Sequence, residues 1–151
     1  MMDRIDGAIL RALEKDGRLS FSKLSEQINL SKTPCWSRVQ NLEQQKIIKE
    51  YRAVLDPIAL GLNLQAFVQA RVSSDRQHQF EEAVQRNGSI LGCYATTGEA
   101  DYMLHVLVPD ITALDELVRM QIASMPGVKG TFTTIGMKII KDHGLIMDCV
   151  R

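Results

Sequence analysis

Apolar positions in the first fifty residues recur at helical spacing. Ile5, Ala8, Ile9, Ala12 and Leu13 fall at i, i+3, i+4, i+7 and i+8, which predicts an amphipathic helix. Asp3 stands where its N-cap belongs, Asp6 favours the positive end of the helix dipole, and Lys15-Asp16-Gly17 closes the run. Ser20 opens a second, two-turn helix with Phe21, Leu24 and Ile28 inward. Asn29 tolerates the left-handed turn that follows, and Leu30 packs beneath it. A third helix starts in Ser31-Lys32-Thr33-Pro34, with Thr33 as cap and Pro34 at the first helical position, or with Ser31 as cap. It buries Cys35, Val39 and Leu42 and ends near Gln45-Lys46. Ile48–Leu55 then reads as a strand, and Asp56-Pro57 and Gly61 break the chain.

The remaining two-thirds alternates period. A strand is predicted over Leu64–Val72, a helix after Asp75 with Phe80, Ala83 and Val84 inward, and a stop at Asn87-Gly88. A strand at Ile90–Thr97, a turn at Gly98-Glu99-Ala100 and a strand at Asp101–Val108 follow. Pro109-Asp110 opens a helix whose stripe is Leu114, Leu117, Val118, Gln121, Ile122 and Met125, and a last strand covers Val128–Ile140. The order βαββαβ is the ferredoxin-like plan. Ile90–Gly98 and Val128–Gly136 share a β-branched residue, Gly, an aromatic, Thr and Gly at equal spacing, so the two halves repeat.

In the third strand of that plan, Tyr102, Leu104, Val106 and Val108 form one face, and Met103, His105 and Leu107 a second that is nearly as apolar. A sheet with helices on one side normally shows water its other side. This side calls for cover, so a dimer through the sheet is expected. His105 is expected as a satisfied structural histidine near that interface.

Composition narrows the class. The chain has 151 residues, 45% hydrophobic and 24% charged, as in globular domains. No run approaches the ~20 apolar residues of a membrane helix, and the acidic start is no secretory signal. The expected location is the cytoplasm. Three scattered cysteines fit neither a disulfide framework nor a zinc site, and Cys35 reads as a small core residue. Net charge is zero, but residues 1–53 carry ten Lys/Arg against seven Asp/Glu, and the remainder carries the opposite excess. Such asymmetry hints that the first half meets a polyanion.

Two short helices joined by about four residues have helix-turn-helix spacing. With Cys35, Val39 and Leu42 inward, rotation by 100° per residue turns Thr33, Ser37, Gln40 and Asn41 outward. Those side chains suit base edges, while Lys32 and Arg38 suit phosphates. The plainer alternative is a solvated face on a small bundle. Trp36 lies on the flank, packed on its own domain or set against DNA. No Gly-rich phosphate loop, nucleophile elbow or shared His–Cys–carboxylate motif is present, so no enzyme and no cofactor are expected. Gly98-Glu99-Ala100-Asp101-Tyr102 reads either as a plain turn or as a small-ligand site. In the second case, backbone N–H groups hold a carboxylate and Asp101 an ammonium, the two ends of a free amino acid.

The whole chain resembles the Lrp/AsnC family of bacterial transcription factors. The carrying residues are Asp3-x-x-Asp6-x-x-Ile9-Leu10, Ser31-x-Thr33-Pro34-Cys35-x-x-Arg38-Val39-x-x-Leu42-Glu43, Ile47-Ile48 and Val54-Leu55-Asp56-Pro57-x-x-x-Gly61, then Thr97-Gly98-Glu99-x-Asp101-Tyr102 and Met125-Pro126-Gly127-Val128. Ala100 departs from the pattern, where similar members often carry a bulkier residue. The resemblance implies an α+β chain. A winged helix-turn-helix over 1–53 and a linker over 54–62 precede a ferredoxin-like effector and assembly domain over 63–151. It implies a regulator of transcription, nucleoid-associated, that binds double-stranded DNA through Lys32, Thr33, Trp36, Ser37, Arg38, Gln40 and Asn41. The implied effector is an amino acid held at Thr97, Gly98, Glu99, Ala100, Asp101 and Tyr102. The implied assembly is a homodimer that builds to an octamer. An effector-independent architectural DNA protein of the same fold is the alternative. The tail Gly144–Arg151, with Leu145, Ile146 and Val150, is expected as a further strand or an assembly contact.

Overall fold

The computed structural model describes residues 2–150. They form two compact units, one running to Val54 and resuming at Ile140, the other Leu55–Ile139.

The first unit holds α1 (Arg4–Lys15), α2 (Phe21–Gln27) and α3 (Lys32–Gln44). Asp3 caps α1, accepting from the N–H groups of Ile5 and Asp6, while Asp6 accepts from the Asp3 N–H. This reciprocal box satisfies donors that a helix start leaves free. The core is Ile9, Leu24, Cys35, Val39 and Leu42, with Ile5, Leu13 and Ile28 against it. Phe21, expected inward, is exposed. It is the first helical residue of a seven-residue α2, one turn before the Leu24 that the core takes. Asn29 has φ +54°, as the turn required. Ser31, not Thr33, is the N-cap residue of α3, and Pro34 lies in its first turn, where no intrahelical bond is lost.

The strand expected at Ile48–Leu55 does not form. Lys46 takes φ +59°, its N–H bonds to the Glu43 carbonyl at 3.0 Å, and the Ile47 N–H reaches the Leu42 carbonyl at 3.0 Å. This Schellman closure folds the chain back on the end of α3. Beyond it the segment finds no strand to pair with among the described residues. The tail is no strand either. Glu14 accepts from the N–H groups of Ile146 and Met147, and Met147 is buried. The tail therefore belongs to the first unit, not to the C-terminal domain in which it was expected.

The second unit runs β1 (Leu64–Val72), α4 (Gln77–Arg86), β2 (Ile90–Ala95), β3 (Tyr102–Val108), α5 (Ile111–Glu116) and β4 (Val128–Gly136). The antiparallel sheet has the order β2-β3-β1-β4, as the ferredoxin-like plan requires. Ala66, Val68, Ala70, Leu104 and Val106 pack against Phe80, Leu114, Leu117 and Ile122. Past α5 the helix widens into a π-turn over Leu117–Ile122, with Ala123 N–H on the Val118 carbonyl at 2.8 Å. The widening turns Gln121, expected inward, out to solvent, where it accepts from Asn87 at 2.8 Å. β4 stops at Gly136, short of Ile140, because its last partner is Gln65, one residue from the start of β1. On the uncovered sheet face His105 stacks on Phe67 with centroids 5.0 Å apart. Its Nε2 is buried without a partner among the described residues, contrary to the satisfied histidine expected.

Candidate nucleic-acid interface and effector cleft

α3 presents its outward face as the period predicts. Cys35, Val39 and Leu42 are buried, while Lys32, Thr33, Trp36, Ser37 and Asn41 are exposed and Gln40 is half-buried. Trp36 is 51% exposed, so half of its surface is covered and half is left open beside its neighbours on α3. A shallow groove of about 590 Å3 runs past Trp36, Ser37, Arg38, Gln40, Asn41 and Gln44 of α3 and Asp6 of α1. Gln44 was missed in sequence. It lies four residues beyond Gln40 and seven beyond Ser37, the spacing of one helix face.

Arg38 lines the same groove and is also tied back to the start of α1. Its Nη1 lies 2.7 Å from Asp3 Oδ2 and 2.7 Å from Asp6 Oδ1. Hydrogen bonds to Asp6 and then Asp3 push the guanidinium pKa up. The Asp6 backbone N–H, followed by Arg38, holds the Asp3 carboxyl below its usual range. The Arg38 guanidinium thus ties α3 to the start of α1 and faces two carboxylates, an arrangement that disfavours a phosphate. Because Asp3's folded pKa is depressed, its contribution is present above the ordinary carboxylate pKa and is lost as pH falls. The first unit is expected to lose stability below pH about 4, followed by Trp36 fluorescence, and Asp3→Asn to flatten that acid limb.

Beyond the groove, Glu43 is tied on both oxygens. Gln40 Nε2 donates to Oε2 at 3.0 Å, and the Tyr51 hydroxyl donates to Oε1 at 2.9 Å. Burial, then the bond to Glu43, pushes the Tyr51 pKa up to about 12, so it stays a donor.

In the second unit the turn between β2 and β3 exposes Thr97, Gly98 and Glu99. Gly98 has φ +120°, open to glycine and strained for other residues. Asp101 is already employed: its Oδ2 accepts from the Val72 N–H at 2.7 Å, and its own N–H bonds to the Ala70 carbonyl. That carboxylate secures the turn to β1, which weakens its expected role as an ammonium partner. Tyr102 points to the helix side. It is buried against Phe80, and its hydroxyl donates to Glu81 at 2.7 Å. Burial, then Glu81, pushes its pKa up to about 12.

Of the expected effector residues, Glu99 and Ala100 line an open cleft of about 530 Å3. Its other walls are Gln69 and Arg71 of β1 and Lys129–Phe132 of β4. Arg71 Nε donates to the Glu99 carbonyl at 3.0 Å, and its guanidinium stands 3.9 Å from the exposed Glu99 carboxylate. So exposed a pair contributes little to stability and leaves both charges available. Two cations, one carboxylate and the Phe132 ring match a zwitterion with an apolar side chain. Among the described residues no cluster of potential ligands could hold a metal ion, and no helix is long and apolar enough to cross a membrane.

Residues 2–43 match the AsnC-type helix-turn-helix domain, and residues 65–146 the Lrp/AsnC ligand binding domain. The chain is 41% identical to the leucine-responsive regulatory protein of Escherichia coli K12 over 149 residues, covering 97% of this chain and 91% of that protein. Its fold superposes with a TM-score of 0.93 on a Neisseria meningitidis transcriptional regulator solved in complex with L-Met, at 33% identity and 96% coverage of both chains. An AsnC family transcriptional regulator from Agrobacterium tumefaciens gives 0.91, at 33% identity, covering 99% of this chain and 100% of that one.

Proposed function

The chain belongs to the Lrp/AsnC family of transcription regulators, and from that premise we propose that it reads DNA through α3 and answers to an amino acid bound in the cleft beside Glu99. It is a DNA-binding regulator and not an enzyme. The observation that carries the reading of α3 is its outward face. A half-exposed Trp36 stands beside Thr33, Ser37, Gln40, Asn41 and Gln44, on a helix anchored by three buried side chains. Thr33, Ser37, Gln40 and Asn41 approach base edges, Trp36 packs on the groove wall, and Lys32 meets a phosphate. Arg38 acts behind them by holding α3 against Asp3 and Asp6.

Lys32 and Arg38 therefore separate in a salt titration. Lys32→Ala is expected to weaken all duplexes alike and to flatten the salt slope by about one unit. Arg38→Ala is expected to lower affinity and leave the slope unchanged, since no phosphate contact is lost. A slope flattened by Arg38→Ala would restore the phosphate role.

In the cleft, Arg71 and Lys129 take the effector carboxylate, Glu99 the ammonium, and Phe132 and Ala100 the side chain. The meningococcal relative's L-Met supports an amino acid with an apolar side chain. The uncovered sheet face, with the unpartnered Nε2 of His105 beneath it, supports a homodimer through this unit, which assembles to an octamer. An effector shifts such an assembly only by binding one state better than another. The bond from Val72 to Asp101 favours the second reading, in which the Gly98 turn is purely structural and the protein is architectural. Calorimetry of the intact chain with each of the twenty amino acids separates the two. Saturable heat that disappears in Arg71→Ala supports an effector, and no heat with any of them supports the architectural protein.

A further inference from the structure

The Glu43 carboxylate stands three residues after Gln40 on α3 and accepts from Gln40 Nε2 at 3.0 Å. A carboxylate has no proton to give, so the Gln40 amide can meet it only through nitrogen. The other Glu43 oxygen accepts from the Tyr51 hydroxyl at 2.9 Å, from the chain that the Lys46 turn brings back along the helix. Glu43 is thus held from both sides. The Gln40 groups left to meet a base are then its Oε1 and the second N–H of Nε2.

We propose that Glu43 is a specificity-determining residue, which presets the Gln40 amide to take adenine and refuse guanine in the major groove. Adenine shows an acceptor, N7, beside a donor, the N6 amino group, and one N–H with an adjacent oxygen matches both. Guanine shows two acceptors, N7 and O6, so the fixed Oε1 would face an oxygen. A free glutamine escapes that clash by turning its whole NH2 group toward guanine. Gln40 does so only by giving up its bond to Glu43. Tyr51 acts through Glu43 as a positioning residue.

The inference rests on α3 being the reading helix, and the test keeps the two apart. Selection of the intact chain on randomised duplex DNA defines a site. Affinity is then measured on paired duplexes that differ by A·T or G·C at single positions. The ratio within each variant is insensitive to the charge that the variant changes. Wild type is expected to favour A·T by about tenfold at one position per half-site. Gln40→Ala removes that preference. Glu43→Ala is expected to reduce it below about threefold, and Tyr51→Phe to reduce it partway. A folded Glu43→Ala that keeps the full ratio overturns the proposal. If Glu43→Ala does not fold, an unchanged ratio in Tyr51→Phe overturns it. A wild type that binds duplex DNA without an A-over-G preference at any position overturns it while leaving α3 as the reading helix. Failure of wild type to bind duplex DNA overturns both.

Discussion

The double variant Ser37→Ala/Gln40→Ala is expected to lose about 100-fold in affinity for a selected operator and almost nothing for unrelated duplex DNA. Both side chains lie on the outward face of α3, lining one groove, and neither belongs to the core. A well-made base contact is worth about 1–3 kcal/mol of discrimination, so two lost contacts total about 3 kcal/mol, or two decades. Non-specific binding rests on phosphates, which neither residue serves in this arrangement. Fluorescence anisotropy on both duplexes checks it. Equal losses on the two would mean that α3 is disturbed as a whole. No loss on the operator would remove this face from base recognition.

Gly127→Ala is expected to destabilise the second unit by about 3 kcal/mol. Gly127 sits at φ +77°, where an added Cβ costs about 1–2 kcal/mol. That Cβ would also lie 2.4 Å from Arg76 Cβ and 2.8 Å from Ser73 Oγ. Arg76 Cβ is the root of its side chain, so the backbone must move, at a further cost of about 1–3 kcal/mol. The movement has little freedom, because the Gly127 carbonyl accepts from the Ser73 N–H at 2.8 Å. In urea the loss of sheet signal should come earlier. The fluorescence of Trp36, the only tryptophan and a member of the first unit, should keep its midpoint. An unchanged sheet midpoint would show that the β1–α4 junction gives way cheaply.

Elements built on a local pattern with a local cap were legible in the sequence. The Asp3 cap, the left-handed Asn29, the buried triad of α3 and β1 itself all fall where period and capping chemistry put them. Elements that depend on a remote partner were not. Ile48–Leu55 has strand composition, but a strand needs a neighbour. The turn that diverts the chain uses Lys46 in the left-handed region, with no glycine to announce it. In the π-turn Leu117 and Ile122, five residues apart, are the buried pair, and the only sequence sign of it was polar Gln121 inside the expected α-helical stripe. The tail is caught by Glu14, more than a hundred residues away in sequence, through backbone N–H groups that carry no side-chain signal.

The site divides in the same way. The outward face of α3 follows from that helix alone, apart from Arg38, whose partners lie at the start of α1. The turn at Gly98 was visible as a turn, but the partners of its side chains were not. Asp101 accepts from the Val72 N–H with one oxygen, and alternation along β3 sends Tyr102 into the core. Arg71 and Lys129 reach the cleft only because β1 and β4 pair, with Arg71 opposite Gly130. Neither has a neighbour in sequence that points to a ligand.

The most direct test of the account is anisotropy of the intact chain on a selected duplex, across a salt series, with and without each amino acid. The account predicts that log affinity falls linearly with log salt, and that at least one amino acid with an apolar side chain moves the binding midpoint. Arg71→Ala should abolish that shift and leave the salt line in place. Absent or salt-insensitive binding would contradict the α3 interface, and a salt line that no amino acid moves would contradict the effector cleft.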